Sequence, residues 1–170
     1  MPVNAQVALA VAVLACVFDL RSRHIPNLLT FGATGAALCY AFIVHGFAGM
    51  ATSAGGWLTA CALFFPFFAL RGLGAGDVKL AAAIGAWLTP GDALWLSLYA
   101  MVAGGVMALL VALLSGYIRK ALTNLALLLA HWRVVGIRPL DGLTLERSRG
   151  PRLPYALPIA VGAAIDLFWR

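Results

Sequence analysis

The chain has 170 residues, 63% of them apolar and 11% charged, against about 25% charged in an ordinary soluble domain. Its 12 basic and 6 acidic residues are too few to clothe a soluble core of this size, which excludes secreted, disordered and collagen-like chains and indicates a membrane protein. The formal charge of +6 carries topological information rather than a nucleic-acid signal, because the basic residues are unevenly placed. Cys16, Cys39 and Cys61 stand singly in apolar runs without C-x-x-C spacing, so neither a disulfide framework nor a zinc knuckle is expected.

A helix rises 1.5 Å per residue, so crossing a hydrocarbon core takes about 20 mostly apolar residues. Six stretches qualify, near 3–20, 28–45, 50–70, 72–88, 93–117 and 154–169, the fourth and sixth being short. The first has no basic residue ahead of its apolar core and two just behind it, the reverse of a cleavable leader, and is expected to remain.

The loops alternate in charge. Arg21 and Arg23 follow the first stretch, Arg71 and Lys79 flank the junction of the third and fourth, and seven more basic residues lie between Arg119 and Arg152. The connections at 46–49 and 89–92 carry none. Every basic residue except Arg170 thus falls on one side, which the positive-inside rule makes cytoplasmic, with both termini on the other side.

Between the fifth and sixth stretches, Ala121, Leu122, Leu125, Leu128, Leu129 and Trp132 recur at helical spacing. The apolar centre of this segment is too short for a seventh span and suits a helix lying in the cytoplasmic interface. A loop with Pro and Gly pauses is expected over 136–153. The expected architecture is therefore all-α: a polytopic bundle of about six transmembrane helices with an interfacial amphipathic helix. It forms a single integral-membrane domain over 1–170, the helix and loop occupying about 118–153.

Ionisable groups beside spans are expensive and are where function is sought first. Asp92 and Asp141 lie among turn residues, Glu146 lies among arginines, and Asp166 stands near the far end of the last span, where it serves as an anchor. Asp19 and Asp77 differ, since both sit at the cytoplasmic ends of spans that a bundle could bring together. Each also has a plainer reading. Arg21 and Arg23 could neutralise Asp19, and Asp77, ahead of an apolar run, could be a helix N-cap.

Paired carboxyls suit aspartic proteolysis: one takes a proton from an attacking water while its protonated partner serves the carbonyl oxygen. Other chemistries lack their residues. There is no G-x-S-x-G or H-E-x-x-H, His24, His45 and His131 are scattered, and Ser53, Ser97 and Ser115 are expected to bond backbone carbonyls or pack helices.

Asp19 to Asn27, ending in Ile25-Pro26-Asn27, and Gly74-Ala75-Gly76-Asp77-Val78-Lys79-Leu80 resemble the two signature segments of the type IV prepilin peptidases. Presenilin-like proteases share the G-x-G-D element, but their first aspartate typically follows a tyrosine, whereas Phe18 stands here. The resemblance implies a membrane aspartic endopeptidase with Asp19 and Asp77 as catalytic pair. Its action would be to remove the leader of a prepilin or pseudopilin at the cytoplasmic face of a bacterial inner membrane.

The insertion with paired C-x-x-C that accompanies N-methylation in long members is missing, so the chain is similar to the short peptidases of Tad/Flp pilus systems. No zinc, S-adenosylmethionine or other cofactor is expected, and the expected partners are the prepilin and the bilayer. Gly74 and Gly76 are supporting candidates that would place Asp77 and admit an extended substrate. Pro26 would start the second helix. Asn27 would satisfy nearby backbone, and Lys79 would act as a cytoplasmic anchor or substrate contact. A small transporter with a proton- or cation-binding aspartate, and a non-enzymatic assembly factor, are the rival readings. Small residues at i, i+4, Gly32 with Ala36 and Gly104 with Ala108, are expected to pack helices.

Overall fold

The computed structural model describes residues 3–136, 138 and 153–169. They form α1 (Val3–Ser22), α2 (Asn27–Ala69), α3 (Ala75–Gly85), α4 (Pro90–Leu114), α5 (Ile118–Val135) and α6 (Ala156–Trp169), with no strand among the described residues. By length and composition α1, α2 and α4 can cross a membrane, and α6 is apolar but shorter. The chain is a helical membrane bundle.

The stretches expected at 28–45 and 50–70 belong to one element, α2, of 43 residues. Run straight, it would measure about 65 Å, twice the thickness of a hydrocarbon core of about 30 Å. Gly46 breaks it, with φ 63° and ψ −154°, a conformation open essentially to glycine alone. Beyond the break the second arm turns back, so that Gly49 lies against Ala41 and His45. The expected loop at 46–49 is therefore reduced to a single residue.

The fourth stretch, expected over 72–88, is helical only over Ala75–Gly85. That is about 16 Å of helix, too short to cross the core alone. Its sequence is apolar nearly all round, and Val78, Leu80, Ala81, Ala82, Ala83 and Ile84 are all buried. A helix without a polar face has to be enclosed by other helices. Against α2 the enclosure is backbone on backbone. A Cβ on Gly85 would lie 2.6 Å from the Gly56 carbonyl oxygen and 2.8 Å from Ala60 Cβ. Just past the end of α3, Ser53 Oγ donates to the Ala86 carbonyl at 2.6 Å, filling a terminal acceptor that the helix leaves open.

α4 begins with Thr89 accepting the Asp92 N–H at 3.2 Å, while Thr89 Oγ1 donates to Asp92 Oδ2 at 2.6 Å. Asp92 is thus a first-turn capping residue, as its surroundings in sequence suggest. Ser97 and Ser115 bond the carbonyls of Ala93 and Val111, also as expected. α6 packs along α4, where Gly162 allows contact with the backbone of Leu96 and Ala100. Of the small-residue pairs expected to pack, only Gly104 is buried; Gly32, Ala36 and Ala108 are exposed. Asp166, expected as a boundary anchor, is buried within α6.

α5 follows the predicted amphipathic segment and has no buried residue; Leu122, Leu125 and Leu129 stand about half exposed. Most of the loop expected over 136–153, with Asp141 and Glu146, lies outside the described residues.

Candidate active site

The site is built where the end of α1, the start of α2, the start of α3 and the start of α6 converge. α1 closes with Arg23 in the left-handed region, φ 51°, its N–H bonded to the Asp19 carbonyl at 2.9 Å, a helix-ending geometry usually taken by glycine. Ile25 is then buried, facing Gly76 in the first turn of α3. Pro26 is the N-cap of α2 rather than its first helical residue, at φ −62° and ψ 133°, and its carbonyl accepts the Leu29 N–H at 3.0 Å.

Asp77 is the third residue of α3 and not its N-cap, which is Gly74. One oxygen, Oδ2, reaches back to accept the Gly74 N–H at 3.2 Å. The capping role expected of Asp77 is real, but it uses a single oxygen. Gly74 sits at φ −76° and ψ 149°, extended backbone open to any residue, and neither Gly72, Gly74 nor Gly76 has positive φ. The requirement at Gly74 is space: a Cβ there would lie 3.0 Å from Asp77 Oδ2.

Burial most of all, and next the charge of Asp19, push the Asp77 carboxyl from 3.8 up to about 7, against the opposing effect of the Gly74 N–H. The two aspartates therefore interact across the 57 residues that separate them in sequence. Two carboxyls in mutual reach resist double ionisation and tend to hold one proton between them.

Asp19 stands in the last turn of α1, where the helix dipole disfavours an anion. The compensating contact comes from α6, not from Arg21 or Arg23. The backbone N–H of Ala156, the first residue of α6, donates to Asp19 Oδ2 at 3.3 Å.

Asn27 and Lys79 are also brought together. Lys79 Nζ donates to Asn27 Oδ1 at 3.1 Å and lies 5.3 Å from the centre of the Phe31 ring. Asn27 therefore holds a lysine rather than local backbone, and Lys79 points toward α2, away from a direct pairing with Asp77. Sequence reasoning missed Ile25, Tyr155 and Ala156. Ile25 could have been found as the apolar member of its motif, but Tyr155 and Ala156 carry no spacing signal.

An apolar groove of about 510 Å³ runs between α1 and the first arm of α2, lined among others by Phe18, Pro26, Gly32, Ala36 and Trp87. Phe18, next to Asp19 in sequence, is part of its wall. At the opposite end of the bundle a cavity of about 320 Å³ has polar lining from Asn4, Tyr40, His45, Thr52 and Thr89. Among the described residues no three His, Cys, Asp or Glu side chains converge as metal ligands.

The fold and site define a helical membrane protein built around an interacting pair of carboxyls. Residues 6–109 match the model of the type IV leader peptidase family, and the chain belongs to that family of peptidases. The match takes in α1 to α3 and most of α4, and leaves α5 and α6 outside. No curated protein and no solved structure matches the chain.

Proposed function

We propose that this chain is an aspartic endopeptidase that removes the leader of a Flp-type prepilin at the cytoplasmic membrane face. The observation that carries the reading is a buried Asp77 carboxyl in the field of Asp19: burial first, and the charge of Asp19 second, leave Asp77 holding its proton up to about pH 7. In this reading the nucleophile is a water held by the two carboxyls. The ionised carboxyl takes a proton as the water oxygen attacks the scissile carbonyl carbon, and the protonated one donates to the carbonyl oxygen. Collapse of the tetrahedral intermediate breaks the C–N bond: one of its hydroxyls returns a proton to the ionised carboxyl as it becomes the new carbonyl, and the departing amine takes the proton of the other carboxyl, so the pair ends with one proton as it began. No covalent enzyme intermediate forms.

The basic residues Arg21, Arg23, Arg71 and Lys79 around this end of the bundle support its cytoplasmic placement by the positive-inside rule. The apolar groove between α1 and α2, with Phe18 and Pro26 in its wall, suits the apolar segment of a membrane-anchored substrate. The rival transporter reading would place its acidic site near the bilayer midplane; here the pair sits where helices begin and end.

The test is co-expression with a Flp-type prepilin, reading loss of the leader by mass. Asp19→Asn and Asp77→Asn are each expected to insert at the normal level and to lower cleavage by about 10³-fold or more, on the scale of lost acid–base groups. Appreciable cleavage by either variant removes that aspartate from the pair.

A further inference from the structure

α6 lies outside the residues that the family model matches, yet its first turn reaches the site. Ala156 is fully buried, and its N–H, one of the donors that a helix N-terminus leaves without an intrahelical partner, is spent on Asp19 Oδ2. The residue before it is wedged on two sides. The Tyr155 ring meets Phe64 of α2 edge to face at 6.2 Å, and a Cβ on Gly104 of α4 would lie 2.6 Å from Tyr155 Oη and 2.8 Å from Cζ. The Tyr155 carbonyl in turn accepts the Ile159 N–H at 3.4 Å.

We infer that the Tyr155–Ala156 turn is a positioning element of the aspartate pair: Tyr155, wedged between Phe64 and Gly104, fixes the Ala156 N–H that aims the Asp19 carboxylate toward Asp77. The inference rests on the peptidase reading above. The Ala156 N–H occupies Oδ2 of Asp19 as the Gly74 N–H occupies Oδ2 of Asp77, and a donor facing a carboxylate favours its charged form. Among the described residues, the other titratable groups in the field of the pair are Cys16, one turn back on α1, and Tyr155 itself. Burial raises the Tyr155 phenol and the charge of Asp77 raises it further, which places its ring within the field of the pair.

The decisive experiment replaces the Ala156 residue by its α-hydroxy analogue in the full chain, turning the amide into an ester. This removes the N–H and leaves the side chain unchanged. Two readouts are taken in lipid vesicles: prepilin cleavage, and titration of the carboxyl infrared bands, assigned with Asp19→Asn and Asp77→Asn. The ester protein is expected to lose about tenfold in kcat with KM within about twofold, and the titration of the pair is expected to move to higher pH. A titration and kcat equal to those of the unaltered protein overturn the inference.

Tyr155→Leu is expected to reproduce the ester's effect and Tyr155→Phe, which keeps the ring, to restore most of kcat. Equal loss in both overturns the wedge role of Tyr155. If the unaltered protein cleaves no prepilin but the ester still shifts the infrared titration, the peptidase reading fails while the positioning contact stands.

Discussion

Lys79 Nζ donates to Asn27 Oδ1 at 3.1 Å, joining the segment that starts α2 to the segment that starts α3. The two motifs lie 52 residues apart in sequence and flank the two aspartates. With Ile25 packed over Gly76, the bond fixes the corner between α1 and α2 relative to Asp77. Asn27→Leu and Lys79→Met are each expected to lower cleavage about three- to tenfold, and the double variant is expected to lose no more than the worse single one, because both remove the same bond. Additive losses in a double-mutant cycle would show that the two residues act separately.

Cleavage should depend on pH with a definite sign. Below about 7 Asp77 keeps its proton and can serve the carbonyl oxygen as an acid; above it Asp77 is charged and that acid is lost. The rate is expected to fall as pH rises through about 7. The same shift acts on stability. The carboxyl titrates at 3.8 when unfolded and at about 7 when folded, so the native state binds the proton more tightly and stability declines between those two values. Asp77→Asn should abolish that slope in thermal unfolding measured across pH.

The contact between α2 and α3 should be intolerant of added atoms. A Cβ on Gly56 would run into the Gly85 carbonyl, whereas a Cβ on Gly105 meets nothing within 4 Å. Gly56→Ala is expected to cost about 1–3 kcal/mol by overpacking, and Gly105→Ala to be neutral or stabilising by up to about 1 kcal/mol through helix propensity. Thermal unfolding of the purified protein in detergent separates the two, and equal melting temperatures would refute the close backbone contact.

Filling the groove should affect substrate binding more than folding. Gly32 lines it, is exposed and has open space around a would-be Cβ. Gly32→Leu is expected to raise KM about tenfold with little change in kcat, the pattern of lost uniform binding, while leaving the melting temperature unchanged or higher. An unaltered KM would move the substrate's apolar segment away from this face.

Much of the site was legible because the motifs are local. Asp19 and Asp77 stand out as ionisable residues at the ends of apolar runs, and their neighbours Gly74, Pro26, Asn27 and Lys79 all lie at the converging corner. Their roles were less legible. Gly74 provides room for a carboxylate oxygen, not an unusual backbone conformation, and Lys79 bonds Asn27 because a helical offset of two residues turns it away from Asp77. The amphipathic helix was legible from spacing alone, and α5 follows it.

By itself the sequence determined that this chain is a helical membrane protein, and it marked the two aspartates, because hydropathy, charge asymmetry and short motifs are all written within a few residues of one another. Tertiary structure decided what local signals cannot express. The break at Gly46 folds two spans into one bent helix. α3 is packed backbone to backbone on α2 at Gly56 and Gly85, and the partner of Asp19 is a backbone N–H 137 residues away. Such contacts depend on where whole helices come to rest, and a peptide N–H has the same identity in every residue but proline, so no pattern of side chains could announce it.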